Sequence, residues 1–187
     1  MVKKYFLIQF FISVLFVRVV AEEPNRFNTQ RLTVSETGVG PVNGSTPFDF
    51  LKIKSLLPGF LVSKGKGSTE GQEFSTIEVA DRIGKLFVVA PGDPETKIFS
   101  VVITSSRVDN QYGFKVGSLY QAVFPANAKP NCFPGQEEQS GTILCSASGS
   151  HHVNYLFEGE WKNGADGQLP PADVVRTWKI TAIVWKP

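Results

Sequence analysis

Apolar and polar positions alternate with period two through much of the chain, the pattern of strands with one buried and one wet face. Lys97–Thr104 reads Lys-Ile-Phe-Ser-Val-Val-Ile-Thr, apolar on both faces, which predicts a central strand. Val153–Trp161 sets Val153, Tyr155 and Phe157 against Asn154, Leu156 and Glu158. Val174–Trp185 is the last strand, with Trp178, Ile180, Ala182 and Val184 on one face and Lys179, Thr181, Ile183 and Trp185 on the other. Lys85–Ala90 is a strand stopped by Pro91-Gly92-Asp93-Pro94, Thr142–Ser146 is a short one, and Phe114–Phe124 is another, with Gly117 marking a bulge. Phe48–Lys54 alternates with a shift of phase, Phe60-Leu61-Val62 is a short apolar run, and Arg31–Ser35 is a short strand.

One segment departs from this period. Ser75-Thr76-Ile77-Glu78 has the form of a capping box, and Val79, Ile83 and Leu86 recur at helical spacing, with Gly84 as a stop. This predicts a helix over 76–83. Lys64–Ser68, Arg107–Gly113 and Pro125–Gly141 read as loops, and Asn163-Gly164 and Asp166-Gly167 as turns. About eight strands, spaced by roughly a dozen residues, with at most one short helix predict an all-β fold, an immunoglobulin-like β-sandwich. The domain spans 47–187, after a polar, turn-rich segment over 22–46.

The first 21 residues change the compartment. Lys3 and Lys4 precede an apolar run from Tyr5 to Val17, and Val19-Val20-Ala21 supplies small residues before Glu22-Glu23. This is the form of a secretory signal peptide over 1–21. A membrane anchor would need about 20 apolar residues, and Arg18 interrupts the run. Cleavage removes Lys3, Lys4 and Arg18 from the 19 bases and leaves one fewer than the 17 acids. The excess of positive charge belongs to the leader, so neither nucleic acid nor an anionic membrane is indicated as a partner. The mature chain is expected to be soluble, secreted and extracellular, with no membrane span after cleavage.

Cys132 and Cys145 are the two cysteines. In an oxidising compartment they are expected to pair, closing a loop of roughly 14 residues that contributes about 3 kcal/mol. Asn43-Gly44-Ser45 is an N-glycosylation sequon in a turn-rich stretch. His151-His152 is the one histidine pair, and neighbours on a strand point to opposite faces, so a metal site is not indicated. Ser146, Ser148 and Ser150 lie near it, with no Gly-x-Ser-x-Gly elbow. Carboxylates are paired at Glu137-Glu138, and Glu158 and Glu160 fall on one strand face about 7 Å apart. That separation is usable for glycoside chemistry, although carboxylates on a wet strand face are far commoner. Lys64–Ser68 lacks the order of a phosphate loop. No cofactor or metal is called for. Trp178 is expected in the core and Trp185 is the candidate surface aromatic. Together with Lys64, Lys66 and Arg107 on loops, Trp185 marks a possible binding surface.

From Lys85 onward the chain resembles a reeler domain. Phe114-Lys115-Val116-Gly117-Ser118-Leu119-Tyr120-Gln121-Ala122 is similar to that family's Phe-Lys-Gly-Phe-Leu-Leu-Gln-Ala strand. Pro91-Gly92 before a β-rich run, and Ser150-His151 followed by a strand ending in Trp161, are similarly placed. The family's early cysteine has no counterpart between Glu22 and Asn131. The resemblance implies an immunoglobulin-like sandwich of matrix or defence proteins, with no catalytic residue. The expected function is a secreted, non-enzymatic binding module for an extracellular macromolecule or glycan, in matrix, defence or host interaction. Two other readings compete with it. One is a lipocalin-like barrel carrying an apolar ligand, although Gly159-Glu160-Trp161 comes too late for the lipocalin signature. The other is a secreted glycan-active enzyme using Glu158 and Glu160.

Overall fold

The computed structural model describes residues 31–69, 71–135, 139–161, 164 and 167–187. The leader, Glu137-Glu138, Asn163 and Asp166 lie outside them. In chain order the elements are β1 (Thr33–Ser35), β2 (Gly38–Val39), β3 (Val42–Asn43), α1 (Phe50–Leu56), β4 (Leu61–Thr69), β5 (Gln72–Ala80), β6 (Lys85–Pro91) and β7 (Ile98–Ile103). They continue as β8 (Asp109–Asn110), α2 (Tyr120–Val123), β9 (Cys132–Pro134), β10 (Thr142–Ser146), β11 (Val153–Glu158), α3 (Ala172–Val175) and β12 (Lys179–Trp185). Among the described residues no helix is long and apolar enough to cross a membrane.

The fold is all-β and sandwich-like. One sheet has eight strands in the order β4-β5-β6-β7-β12-β11-β10-β9, and the other has four in the order β3-β2-β1-β8. The large sheet is antiparallel throughout and does not close, because its end strands β4 and β9 do not pair with each other. Both sheets feed one core. Val34, Val39 and Val42 of the small sheet join Val79, Phe87, Ile103, Phe157 and Ile183 of the large one, all without exposed surface. The segment 31–46 is therefore an integral part of the packed unit.

β12 is the seam of the large sheet. Its second half pairs with β7, through Ile183, Val184 and Trp185. Along its first half the chain at 117–120 takes β7's place. Gly117 N–H donates to the Ile180 carbonyl at 2.8 Å, Ile180 N–H to Ser118 at 2.9 Å, and Tyr120 N–H to Trp178 at 2.8 Å. Gly117 makes this approach at φ +94°, a conformation that favours glycine. Across the β11–β12 ladder Leu156 faces Ala182 and Phe157 faces Ile180, so Thr181 is the extra residue of a bulge. The bulge reverses the inward phase. Ile180 joins the core before it, and Ile183 and Trp185 join the core after it. Trp185, expected at the surface, is 1 % exposed, and its indole N–H donates to the Glu36 carbonyl at 3.3 Å.

Among the described residues three short α-helices stand where at most one was expected, and none is at 76–83. Residues 76–80 of that segment lie in β5, where Ile77 and Val79 alternate inward between partners β4 and β6, and 81–83 follow the strand. Phe48–Lys54, read as a strand, contains the start of α1. Asp49 caps this helix by accepting the Lys52 N–H at 2.7 Å, while Phe50, Ile53 and Leu57 share its inner face. Lys64–Ser68 is part of strand β4 and not a flexible loop. Phe114–Phe124, the strand on which the reeler resemblance leaned, is a turn followed by α2. Val174 and Val175, read as the start of the last strand, belong to α3.

Candidate functional site

The β10–β11 connection, 147–152, is a tight turn held from several sides. Ser150 N–H donates to the Ala147 carbonyl at 3.0 Å, and the Ser150 hydroxyl oxygen accepts from the N–H groups of Val153 at 2.8 Å and His152 at 3.1 Å. The same hydroxyl donates to the carboxylate of Glu36, which follows β1. Glu36 also accepts from the Tyr112 phenol at 2.7 Å and the His151 N–H at 2.8 Å. These donors, first the Ser150 hydroxyl and then the His151 amide, hold the Glu36 carboxyl down at about 2, against burial acting the other way. Glu36 thus latches the small sheet to the turn. His152 closes the other side. Its Nδ1 lies 2.7 Å from the Lys186 carbonyl, and Lys186 N–H donates back to His152 at 2.9 Å. The carbonyl can only accept, which puts the proton on Nδ1.

The latch has a pH signature. The Glu36 carboxyl titrates lower in the folded chain than in the unfolded one. Its contribution is present above about 4.5 and is lost as pH falls from there towards 2. Glu36→Gln is expected to lower the melting temperature by several degrees at pH 6 and to flatten its fall over that window. Thermal unfolding followed by circular dichroism between pH 2 and 7 measures both. Parallel pH profiles for the two proteins would remove Glu36 as the latch.

The turn forms one wall of a cleft of about 670 Å³ lined by Phe124, Lys129, Asn131, Ser146, Ser148 and His151. A second hollow of about 540 Å³ abuts it, sharing Phe124 and Ala128 and lined further by Tyr120, Asp173 and Arg176. The wall is fixed covalently. Cys132 and Cys145 face each other across β9 and β10 with their sulfurs 2.01 Å apart, and Ser146 N–H donates to the Asn131 carbonyl at 3.0 Å. Phe124 and Tyr120 line these hollows, and the buried rings of Phe157 and Tyr155 back them. The Tyr120 ring centroid is 5.1 Å from those of Phe124 and Phe157, and the Tyr155 centroid is 6.2 Å from that of Phe157. Burial raises the Tyr120 phenol above its usual range and pushes Tyr155 up to about 12, so both stay neutral, and the Tyr155 hydroxyl accepts from the Asn110 amide at 3.0 Å. Lys129, Arg176 and His151 stand around the rim with Asp173 as the acid.

The residues singled out from sequence do not converge here. Arg107 is committed elsewhere. It grips Asp81 through Nε at 2.7 Å and Nη2 at 3.1 Å, and reaches the Gly84 carbonyl at 3.0 Å. Lys64 and Lys66 lie on β4, at the far edge of the large sheet. Glu158 ends β11 and Glu160 lies beyond it, so the two do not share the strand face expected for them. Asn43 is half-buried in β3, its side-chain oxygen accepting from the Ser45 N–H at 3.0 Å and hydroxyl at 2.7 Å. Among the described residues no three His, Cys, Asp or Glu side chains gather as a metal site. The sequence reading missed Glu36, Phe124 and Arg176. The 114 positions between Glu36 and Ser150 leave no local signal of their contact.

The model of the family described as "Protein of unknown function (DUF1131)" matches residues 18–187. The chain is 30% identical over 154 residues to "Uncharacterized protein YfeY" of Escherichia coli (strain K12), a match covering 82% of this chain and 78% of that protein. The crystal structure of the uncharacterized protein yfeY from Escherichia coli is similar to it at a TM-score of 0.65 and 26% identity, over 84% of this chain and 100% of that one. By the extent of these matches the chain belongs to the DUF1131 family.

Proposed function

We propose that the protein is a secreted, non-enzymatic binding module that takes a short glycan, or an equally polar ligand, in the cleft beside Phe124. The observation that carries this reading is the cleft itself, two abutting hollows of about 670 and 540 Å³ with polar walls over an aromatic floor. Ligand sites generally fall between about 300 and 1,000 Å³ and combine apolar surface with a few fixed polar groups. Asn131, Ser146 and Ser148 offer hydroxyl and amide partners, and Lys129 and Arg176 suit acidic substituents. A wall held by the disulfide and the Glu36 latch loses little freedom on binding, which favours affinity. The charged and apolar leader supports export, and a stapling cysteine pair suits an oxidising compartment. The carrier reading is weaker because the large sheet is open. The hydroxyl of Ser150 is fully engaged in the turn and is not offered to the cleft as a nucleophile.

The test is saturation-transfer NMR of the mature protein against a panel of neutral and acidic oligosaccharides, repeated with Ser148→Trp. Ser148 is an exposed turn residue, and an indole there fills the cleft. Wild-type protein is expected to bind at least one acidic oligosaccharide, and Ser148→Trp to weaken it by roughly tenfold or more with an unchanged circular dichroism spectrum. Absence of binding across the panel, or binding indifferent to Ser148→Trp, overturns the reading.

A further inference from the structure

The outermost strand of the large sheet is built differently from its neighbours. β4 pairs with β5 through nine consecutive positions, Leu61 with Ala80 to Thr69 with Gln72, without a shift of register. The β5–β6, β6–β7 and β11–β12 ladders each contain a shift. No residue of β4 is buried, and the strand contains no proline. Among the described residues, none of its backbone groups makes a backbone hydrogen bond beyond the β5 ladder. This is a long, flat, open edge, the kind that accepts another strand.

Alternation gives the edge two chemically distinct sides. Val62, Lys64 and Lys66 share one, and Val62 packs on the core. Lys64 Nζ lies 5.6 Å from the centroid of Phe50 on α1, and Lys54 Nζ lies 5.7 Å from the same ring. Lys66 pairs with Glu73 at 2.7 Å, an exposed contact of little strength. Neither Lys54 nor Lys64 has a carboxylate partner among the described residues. The other side carries Leu61, which is exposed, Ser63, Gly65 and Gly67. A Cβ on Gly67 would meet the Phe74 ring at 2.6 Å, so Phe74 lies over that glycine and presents an apolar surface beside the edge.

A second copy of the chain is a poor occupant. Antiparallel pairing of β4 with itself about Gly65 would set Lys64 opposite Lys66 on the same side, and like charges directly opposed are destabilising. The same lysines favour an incoming strand of opposite charge. We propose that β4 is a docking edge for an extended segment of another protein in which acidic and apolar residues alternate. The acidic residues meet Lys54, Lys64 and Lys66, and the apolar ones lie over Leu61, Gly67 and Phe74. Main-chain hydrogen bonds along β4 supply the affinity and the two sides supply the selectivity. This site stands at the far end of the sheet from β9 and does not depend on the cleft.

The probe is a synthetic nine-residue peptide alternating Glu and Val, with a Lys-Val peptide of equal length as its counterpart, added to the mature protein. Binding is followed by amide chemical shifts and hydrogen exchange. The Glu-Val peptide is expected to bind about tenfold tighter, the effect of two or three cross-strand charge pairs, and to protect amides within 61–69. K64E/K66E is expected to reverse that preference with circular dichroism unchanged. If the lysines act only to repel other chains, neither peptide protects β4, and the proposal fails. Equal binding of the two peptides, or protection confined to other strands, overturns it as well.

Discussion

Phe157→Ala is expected to destabilise the fold by about 4 kcal/mol, at the upper end for single substitutions, and to empty the cleft of any ligand it holds. Phe157 has no exposed surface and lies within 5.1 Å of Tyr120, 6.0 Å of Phe124 and 6.2 Å of Tyr155, centroid to centroid. Removing its ring leaves a cavity that these neighbours close only in part. It also removes the edge-to-face contact with Tyr120 and the tilted contact with Phe124, the two rings that line the hollows. Calorimetry should show a melting temperature lower by about 8–16 °C. Phe157→Leu should recover more than half of the loss, because it restores most of the volume and none of the aromatic geometry. A loss below about 1 kcal/mol would show that the ring cluster does not support the cleft.

Removing the disulfide by Cys132→Ala with Cys145→Ala is expected to cost about 3 kcal/mol, the entropy of leaving open a loop of this size. The two residues are separated by 13 positions and stand directly opposite on β9 and β10. Three residues are too few to hold an edge strand by ladder hydrogen bonds alone, and Phe133 between them turns largely to solvent. The loss should therefore concentrate in β9 and in the cleft wall at Asn131 and Ser146, leaving β4–β7 at wild-type protection in hydrogen exchange. Equal melting temperatures for the oxidised and reduced wild-type protein would refute the staple.

The β-rich class was legible because β10 and β11 carry their alternation, and β7 its apolar run, in their own residues. The misreadings share a physical cause, a contact distant in sequence that decides between two locally acceptable states. Thr76, Ile77 and Val79 suit a strand as well as the capping box suits a helix, and the presence of β4 and β6 on both sides selects the strand. Phe50, Ile53 and Leu57 have the spacing of a helix face, hidden in the sequence by an alternation that Asp49 overrides as a cap. Trp185 was misplaced by one residue of phase, because Thr181 is the extra residue of a bulge visible only across the ladder to Leu156 and Phe157. Of the candidate site, the cysteine pairing could be read from composition and compartment. Glu36 and Phe124 could not, since each acquires its role from partners that folding alone brings near.

The position of β12 sets the timetable of folding. β4 to β7 is a run of neighbouring hairpins, and so is β9 to β11, so each ribbon can form from contacts local in sequence. They meet only through β12, the latest strand in chain order and an inner member of the sheet. A chain delivered from its N-terminus, by a ribosome or through a translocation pore, thus remains two separate ribbons until residues near Trp185 arrive. Its completion is a single late event, in which Trp185 and Glu36, 149 positions apart, come together. Such a chain stays pliable while β4 to β11 are threaded and becomes rigid only once β12 has been delivered.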